Sequence, residues 1–559
     1  MNNMSLYLEL RKFAPNTDLI PCAEGVELFL IRQGNPERYE ALLTALRALG
    51  FADEREHKIG EVQFNVLAQG AHVLTCSLTP CDGRMRVVSE ENGVIPPVEA
   101  QPVKQVATPL LTQVRTAYVF CDCGMSYLLR LCDGRFIMID GNVGEYEEVD
   151  YLMDLLKEQN VLPGKPVFAA WIITHPHGDH FWGFARFIKK YGDQVELGDV
   201  IYNFARTDIS GRSSMALMDE FLADNKDRIR VITARSGQVF SYGDAVFETL
   251  TAAEDLYPPE KRDSLNCNDT SLSFMVTFAG RRVLILGDLQ GKGAEYASRR
   301  YPASAFKCEL LQVGHHGYWG GSEEMYRAAD PDFLLWPCPD FWFARVRGWK
   351  PNQVLFEECK NIKGIFVGGQ REDVLDMTKP FEYVSHYVDV ADGETVYEES
   401  CNGDRVIDLG WNCVNGGKTG YNGAIFSMTE QGVVMDSLIR PNPVVCMFVQ
   451  RGQMDLLPDF TLTMKGKVDP QSEIFGLYWN YPNHDVFSAD DVLPVFHDAD
   501  GSFDFKLTAD SAAGLAKIYH NGALVATLPY TKRPDSGLYY VMKKALVTMR
   551  EVKLVKGIV

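Results

Sequence analysis

The chain has 559 residues, 46% of them hydrophobic and 23% charged, with 75 acidic against 55 basic side chains and a formal net charge of −20. That length exceeds the ~250–300 residues at which single hydrophobic cores stop growing, so two or three domains are expected, and the composition excludes a disordered or fibrous chain. The acidic balance, with a pI near 5.1, disfavours long nucleic acid as a partner.

The first residues, MNNMSLYLELRKFAPNTD, have neither a basic leader nor an unbroken apolar run, and no stretch of ~18 apolar residues follows anywhere downstream, which predicts a cytoplasmic protein without a membrane span. Thirteen scattered cysteines, an odd number, fit reduced thiols better than a disulfide framework. Cys121 and Cys123 would share one strand face, but no second cysteine pair lies near enough to complete a zinc site, so buried strand thiols are the preferred reading.

Residues 26–33, VELFLIRQ, read as a strand. The following segment spaces Tyr39, Leu42, Leu43, Leu46 and Leu49 as one helix face, with Asn35 as cap, Pro36 at the first position and Gly50 at the end. Three strand-like runs, VQFNVLAQ, HVLTCSLTP and RMRVVSEE, complete a small α+β unit over 1–105, and the proline-bearing NGVIPPVEAQPVKQVATP reads as a linker. Nothing in this unit carries obvious chemistry, so it is expected to be an accessory or dimerisation domain, the route to a homo-oligomer.

Over 106–395 strands alternate with helices. The third strand, VFAAWIITH, is nearly continuous in apolar residues, as a strand buried on both faces should be. It delivers His175, His177, Asp179 and His180 into the loop just beyond, where a rigid sheet fixes their geometry. An extended H-x-H sets His175 and His177 toward one cation, and Asp179 and His180 then turn toward a second. Two later segments repeat the strand-then-ligand placement: RRVLILGDL ends in Asp288, a carboxylate suited to bridging two cations, and ELLQVGHHGYWGGS ends in His315 and His316. Adjacent histidines point apart, so one ligates and its neighbour faces substrate; the sequence leaves open which.

These residues resemble the metallo-β-lactamase-fold hydrolases, by H-x-H-x-D-H at His175, His177, Asp179 and His180, a preceding strand-end Asp140, a later Asp288 and a final histidine. Within that superfamily, NDTSLSFMVTFAGRRVLILGDL followed by LQVGHHGYWGGS is most similar to the soluble hydrolase domain of ComEC-type competence proteins. The resemblance implies a central αββα sandwich, two divalent ions with zinc first and manganese or iron as alternatives, and hydrolysis of an ester by activated water, a phosphodiester above all; the acidic balance of the chain predicts that the ester is a small one. Asp179 would accept the water's proton, the non-ligating member of His315 and His316 would donate to the leaving oxygen, and Asp140 would orient loop backbone or a ligand. Many relatives hold the first ion with a further histidine, and here none lies between His180 and Asp288. The first ion would then be weakly held by His175, His177 and Asp288, or would borrow Asn203 or Asp208. A thioester or lactone hydrolase on the same fold, and a non-catalytic binding protein with a degenerate metal site, are the alternatives.

Aromatic residues crowd these motifs, and Trp182, Tyr318, Trp319 and Trp349 are candidates to line the substrate pocket, among neighbours Phe181, Phe341, Trp342 and Phe343. From 396 to 559 short strands recur between turns, predicting a β-sandwich; KIYHNGALVATL and the closing MREVKLV are similar to the end of a concanavalin-type jelly roll. A structural role is preferred there over glycan binding through Tyr478, Trp479 or Tyr481.

Overall fold

The computed structural model describes residues 2–23, 25–100, 103–115, 124–144, 148–205, 212–225, 227–257, 266–338, 346, 349–368, 372–382, 391–399, 412–415, 425–438, 444–449, 459–478, 492–530 and 538–559. They form two compact units, one built from Met1–Thr116, Cys123–Cys338 and Val346–Tyr383, the other centred on Val384–Val559. Among the described residues, no helix is long and apolar enough to cross a membrane.

The first unit begins with a six-stranded antiparallel sheet. One face is covered by the helices Asn3–Phe13 and Pro36–Ala48, whose Leu6, Leu10, Tyr39, Leu42, Leu43 and Leu46 pack onto sheet residues such as Phe29, Leu67 and Val87. Asn35 caps the second helix by accepting from Arg38 N at 2.8 Å, with Pro36 at its first position. The segment that reads as a linker is pinned along its course: Glu99 pairs with Arg135 at 2.6 Å, and Pro97 O accepts from Ser241 N.

Two seven-stranded mixed sheets follow. In one, Phe136–Asp140, Val167–Ile173, Glu196–Tyr202 and Arg230–Thr233 run parallel; in the other, Arg281–Ile285, Leu310–Gln312, Phe333–Trp336 and Gly364–Val367 do. One apolar cluster draws on both sheets, joining Ile137, Ala170 and Ile172 to Phe247, Phe274, Ile285 and Leu310. The opposite face of the first sheet carries Phe168, Trp171 and Ile173 into a second cluster with helix residues Leu152, Phe181, Phe184 and Phe187. Val167–Ile173 is therefore apolar throughout because it is buried on both sides. The ends of its parallel neighbours are where ligand-bearing loops of α/β sheets gather.

Buried charges fasten the N-terminal sheet to this part of the unit. Arg235 lies 2.9 Å from Glu90 and 3.3 Å from Glu254, and the Arg300 guanidinium, paired with Asp255, lies over the Phe64 ring at 5.1 Å. His57 contacts Glu248 at 2.5 Å, and Gln238 donates to Thr75 Oγ1 at 3.2 Å.

The second unit holds an eight-stranded and a five-stranded sheet. Phe460, Leu462, Phe505 and Leu554 of the larger share a cluster with Phe475, Leu477, Tyr540 and Met542 of the smaller. The hairpin Leu515–His520 to Ala523–Pro529 turns at Asn521 and Gly522, both with positive φ, the chemistry a two-residue turn of this hand requires. Tyr478 ends the strand Ile474–Tyr478; Trp479 and Tyr481 lie outside the described residues, as do Cys121 and Cys123.

Candidate metal centre

Four chain ends converge on one point at the edge of the two sheets. The strand Phe136–Asp140 brings Asp140, Val167–Ile173 leads into His175 and His177, and the helix Gly178–Tyr191 carries Asp179 and His180 in its first turn. Asp288 follows Arg281–Ile285, and His315 and His316 follow Leu310–Gln312. The last loop is held against the Asp288 loop by buried Gln312, whose amide accepts from Leu286 N at 2.7 Å and donates to Gly287 O at 3.0 Å.

Six of these eight side chains sort into two groups that share Asp288. His175, His177 and Asp288 form one, and Asp179, His180, His316 and Asp288 the other, with potential ligand atoms within 4.8 Å of one another in each. The two oxygens of Asp288 divide between them: Oδ2 lies 3.5 Å from His175 Nε2, while Oδ1 lies 3.2 Å from His180 Nε2 and 3.6 Å from His316 Nε2. His316 thus joins the second group, and His315, 3.7 Å from Asp288 Oδ2, belongs to neither.

Neighbouring groups aim the imidazoles from behind. Asp140 Oδ2 accepts from His180 Nδ1 at 2.6 Å, and Pro337 O, which can only accept, takes the Nδ1 proton of His316 at 2.7 Å. Each contact fixes the tautomer that leaves Nε2 facing Asp288, the arrangement that orients metal-binding histidines. Asp140 also accepts from Thr174 N and Oγ1, so one buried carboxylate sets both the loop backbone and the ring.

The field inside is uneven. Burial works against charge on His180 and His316, but the Asp288 carboxylate, with Asp140 beside the first and Asp179 beside both, outweighs it and raises both imidazoles above the usual range. For His175 and His315 burial wins, and both are lowered, which keeps them neutral. Asp288 is held well below the ordinary carboxylate range: burial opposes its charge, and the surrounding histidines, His180 first, overcome it. His175 Nε2 and Asp288 Oδ1 are buried and have no hydrogen-bond partner. Such orphaned lone pairs are costly unless a cation shares them, so the donor set fits divalent metal.

Several residues of this neighbourhood were not singled out by sequence reasoning. Asn268 places Nδ2 3.0 Å from His315 Nε2, and only its position just before the strand Ser273–Phe278 hints at that role. Thr174 and Pro337 act through backbone and hydroxyl contacts that no spacing rule reveals. Backbone strain also gathers here: Asp140, Asn142, His315, His316 and Trp319 all have φ between 49° and 56°, a region where a non-glycine residue costs about 1–3 kcal/mol and which recurs at functional sites. Asn203 spends its amide nitrogen on Ala234 O and Glu254 Oε2, and Asp208 lies outside the described residues.

Of the aromatic candidates, Trp182 lies against Gly178, where a Cβ would come within 2.8 Å of its ring, and under the Arg186 guanidinium at 5.5 Å. Tyr318 is 5.7 Å from His315 and 5.6 Å from Trp349 between ring centroids, and Trp319 stacks on Trp349 at 4.6 Å. Phe181 is core, while Phe341, Trp342 and Phe343 lie outside the described residues.

No curated protein matches the chain. Among solved structures it is similar to the metallo-beta-lactamase fold protein YhfI from Bacillus subtilis, 13% identical over 48% of this chain and 99% of that one, with a TM-score of 0.30. Human tRNase Z, short form, is 14% identical over 48% of this chain and 99% of its own, with a TM-score of 0.28. A galectin-like fold protein from Bacillus subtilis is 11% identical over 30% of this chain and 97% of its own, with a TM-score of 0.22. Residues 124–336 match the metallo-beta-lactamase superfamily, and the centre of the chain is a domain of that superfamily.

Proposed function

We propose that this chain is a metal-dependent hydrolase of a small ester, a phosphodiester first, using two divalent ions, with zinc ahead of manganese or iron. The observation that carries the reading is the division of Asp288 between two ligand groups, with Asp288 Oδ1 and His175 Nε2 buried and unpartnered. Two cations in such a site supply an acidified water and positive charge for the departing oxygen. The chain's own residues do the rest. Asp179, about a third exposed at 32%, is the carboxylate at the open side and takes up the water's proton at its own oxygen. His315 stands outside both groups, beside Asn268 at 3.0 Å, and as a neutral imidazole offers the substrate's leaving oxygen a hydrogen bond rather than a proton. Asp140 and Pro337 O keep His180 and His316 aimed throughout.

The preference for a phosphodiester comes from the resemblance to the competence-protein hydrolase domain. The preference for a small one comes from charge: at −20 the approach of a long polyanion is disfavoured, and no run of Lys or Arg between His175 and Trp349 could track a backbone. We place the protein in the cytoplasm.

A second reading, a non-catalytic protein holding one ion, is favoured by a single observation: the first group offers two imidazoles beside the shared Asp288 carboxylate. Metal analysis of the purified chain, run beside turnover of bis-p-nitrophenyl phosphate, a thioester panel and a lactone panel, separates the readings. About two ions per chain with phosphodiester turnover is the expected result. Turnover of only thioesters or lactones moves the substrate class, and one ion with no turnover on any panel replaces the hydrolase with the binding protein.

A further inference from the structure

Trp319 is the most exposed large apolar side chain among the described residues, at 60%, and it stands three positions beyond His316. Its placement is built. The indole stacks on Trp349 with 4.6 Å between centroids and 20° between planes, and Tyr318 bridges Trp349 to His315 through ring contacts of 5.6 and 5.7 Å. The loops bearing the two tryptophans are tied by Asn352, fully buried, whose Nδ2 donates to Gly317 O at 2.7 Å and Val346 O at 2.8 Å. Gly320, just after Trp319, lies so close to Gly314 that a Cβ would come within 2.0 Å of its carbonyl oxygen, which fixes the loop to the His315 turn.

Two features of Trp319 work against stability. A large aromatic left in water forgoes its burial, and its φ of 54° is a conformation that side chains with a Cβ adopt at a cost. Folding gains nothing from either, so the position answers to something outside the chain. Its shape states the occupant. Trp319 has a single aromatic neighbour among the described residues, which leaves one flat, open face backed by a second indole. Recognition of an ammonium group draws on several rings around the charge, whereas a single slab suits a flat ring.

We propose that Trp319, backed by Trp349, is the specificity platform of this site and stacks a planar aromatic group, such as a nucleobase, carried by the small ester. The proposal rests on the hydrolase reading for its place beside the reacting centre. Stacking of one base on an aromatic side chain is worth about tenfold to a hundredfold in affinity.

The test compares adenosine 5′-monophosphate with ribose 5-phosphate, which carry the same phosphate and sugar, binding to the purified full chain by calorimetry and tryptophan fluorescence. Adenosine 5′-monophosphate should bind about tenfold or more tightly than ribose 5-phosphate. Trp319→Ala should erase that preference without changing ribose 5-phosphate binding, metal content or thermal midpoint, and Trp319→Phe should restore most of it. Equal binding of the two ligands to the unaltered chain overturns the platform, as does a Trp319→Ala variant that weakens both alike. Choline binding tighter than adenosine 5′-monophosphate and lost in the same variant overturns it in favour of a cation. A base preference lodged at Trp319 in a chain that turns over no ester leaves the platform standing and removes the hydrolase reading. Turnover of thymidine 5′-monophosphate p-nitrophenyl ester unaffected by Trp319→Ala leaves the hydrolase and removes the platform.

Discussion

The two ligand groups share one carboxylate and differ in what stands behind the imidazoles. In the group of Asp179, His180 and His316, each histidine is aimed from its far nitrogen, by Asp140 Oδ2 at 2.6 Å and by Pro337 O at 2.7 Å. In the group of His175 and His177, the contact behind His175 is a Thr174 hydroxyl at 3.1 Å, itself committed to Asp140 at 2.8 Å. A carboxylate or carbonyl that fixes a tautomer raises ligand basicity and removes ring rotation before the ion arrives; a shared hydroxyl does less of both. His180 and His316 are therefore more firmly aimed than His175, and on the proposed two-ion reading the two groups would hold their ions unequally.

The sharpest break in the comparison is to remove what the pockets share. Asp288→Asn should lower hydrolysis by about a thousandfold or more and deplete both ions, because a two-metal mechanism needs the pair in place. Elemental analysis finding both ions retained in that variant would show that Asp288 bridges nothing. A smaller, uneven effect is expected from Asp140→Asn, which alters the support of His180. Affinity for the ion of the His180 group should fall by about 10–100-fold and that of the His175 group by less, through Thr174, read by competition with a chelator; equal weakening of both would put Asp140 equally behind the whole cluster. Least in size is the difference between the unaltered pockets. Graded chelator should strip the ions in two steps about tenfold apart, consistent with the cost of losing outer support, and the His175→Ala variant should lack the weaker step. Removal of both ions in a single step would collapse the distinction.

The part of this site that could be read from sequence is the part where chemistry is written in side-chain type and spacing. His175, His177, Asp179 and His180 fall within six positions after a run that only a doubly buried strand explains, and Asp288 and the His315–His316 pair repeat the placement. Which of those two histidines joins the metal group was not legible, because it depends on two successive residues with positive φ and on a carbonyl 21 residues away at Pro337. The supporting contacts were equally hidden, since backbone acceptors leave no trace in composition. In the fold, the helix Pro36–Ala48 announced itself through its cap and its apolar face, and the hairpin at Asn521 through its turn. The strand Ala52–Ile59, ADEREHKI, did not, because it is a mostly solvated edge strand whose place is set by pairing with Val62–Gln69. The proline-bearing segment before residue 108 looked free because its anchors, Arg135 and Ser241, lie far along the chain.

The buried charges that join the N-terminal sheet to the rest of its unit have a consequence for the order in which the protein is made. Glu90 and Arg235 are 145 residues apart, so at ordinary ribosomal rates the carboxylate leaves the tunnel roughly 7–30 s before its guanidinium. A buried charge deprived of its partner costs about 3–5 kcal/mol; Arg86, by contrast, has Asp82 at 3.3 Å from the outset and gains only the Asp255 carbonyl later. On this ordering the face around Glu90, in the interior strand Arg84–Glu90, stays wet and loose until the segment that carries Arg235 has arrived to close it.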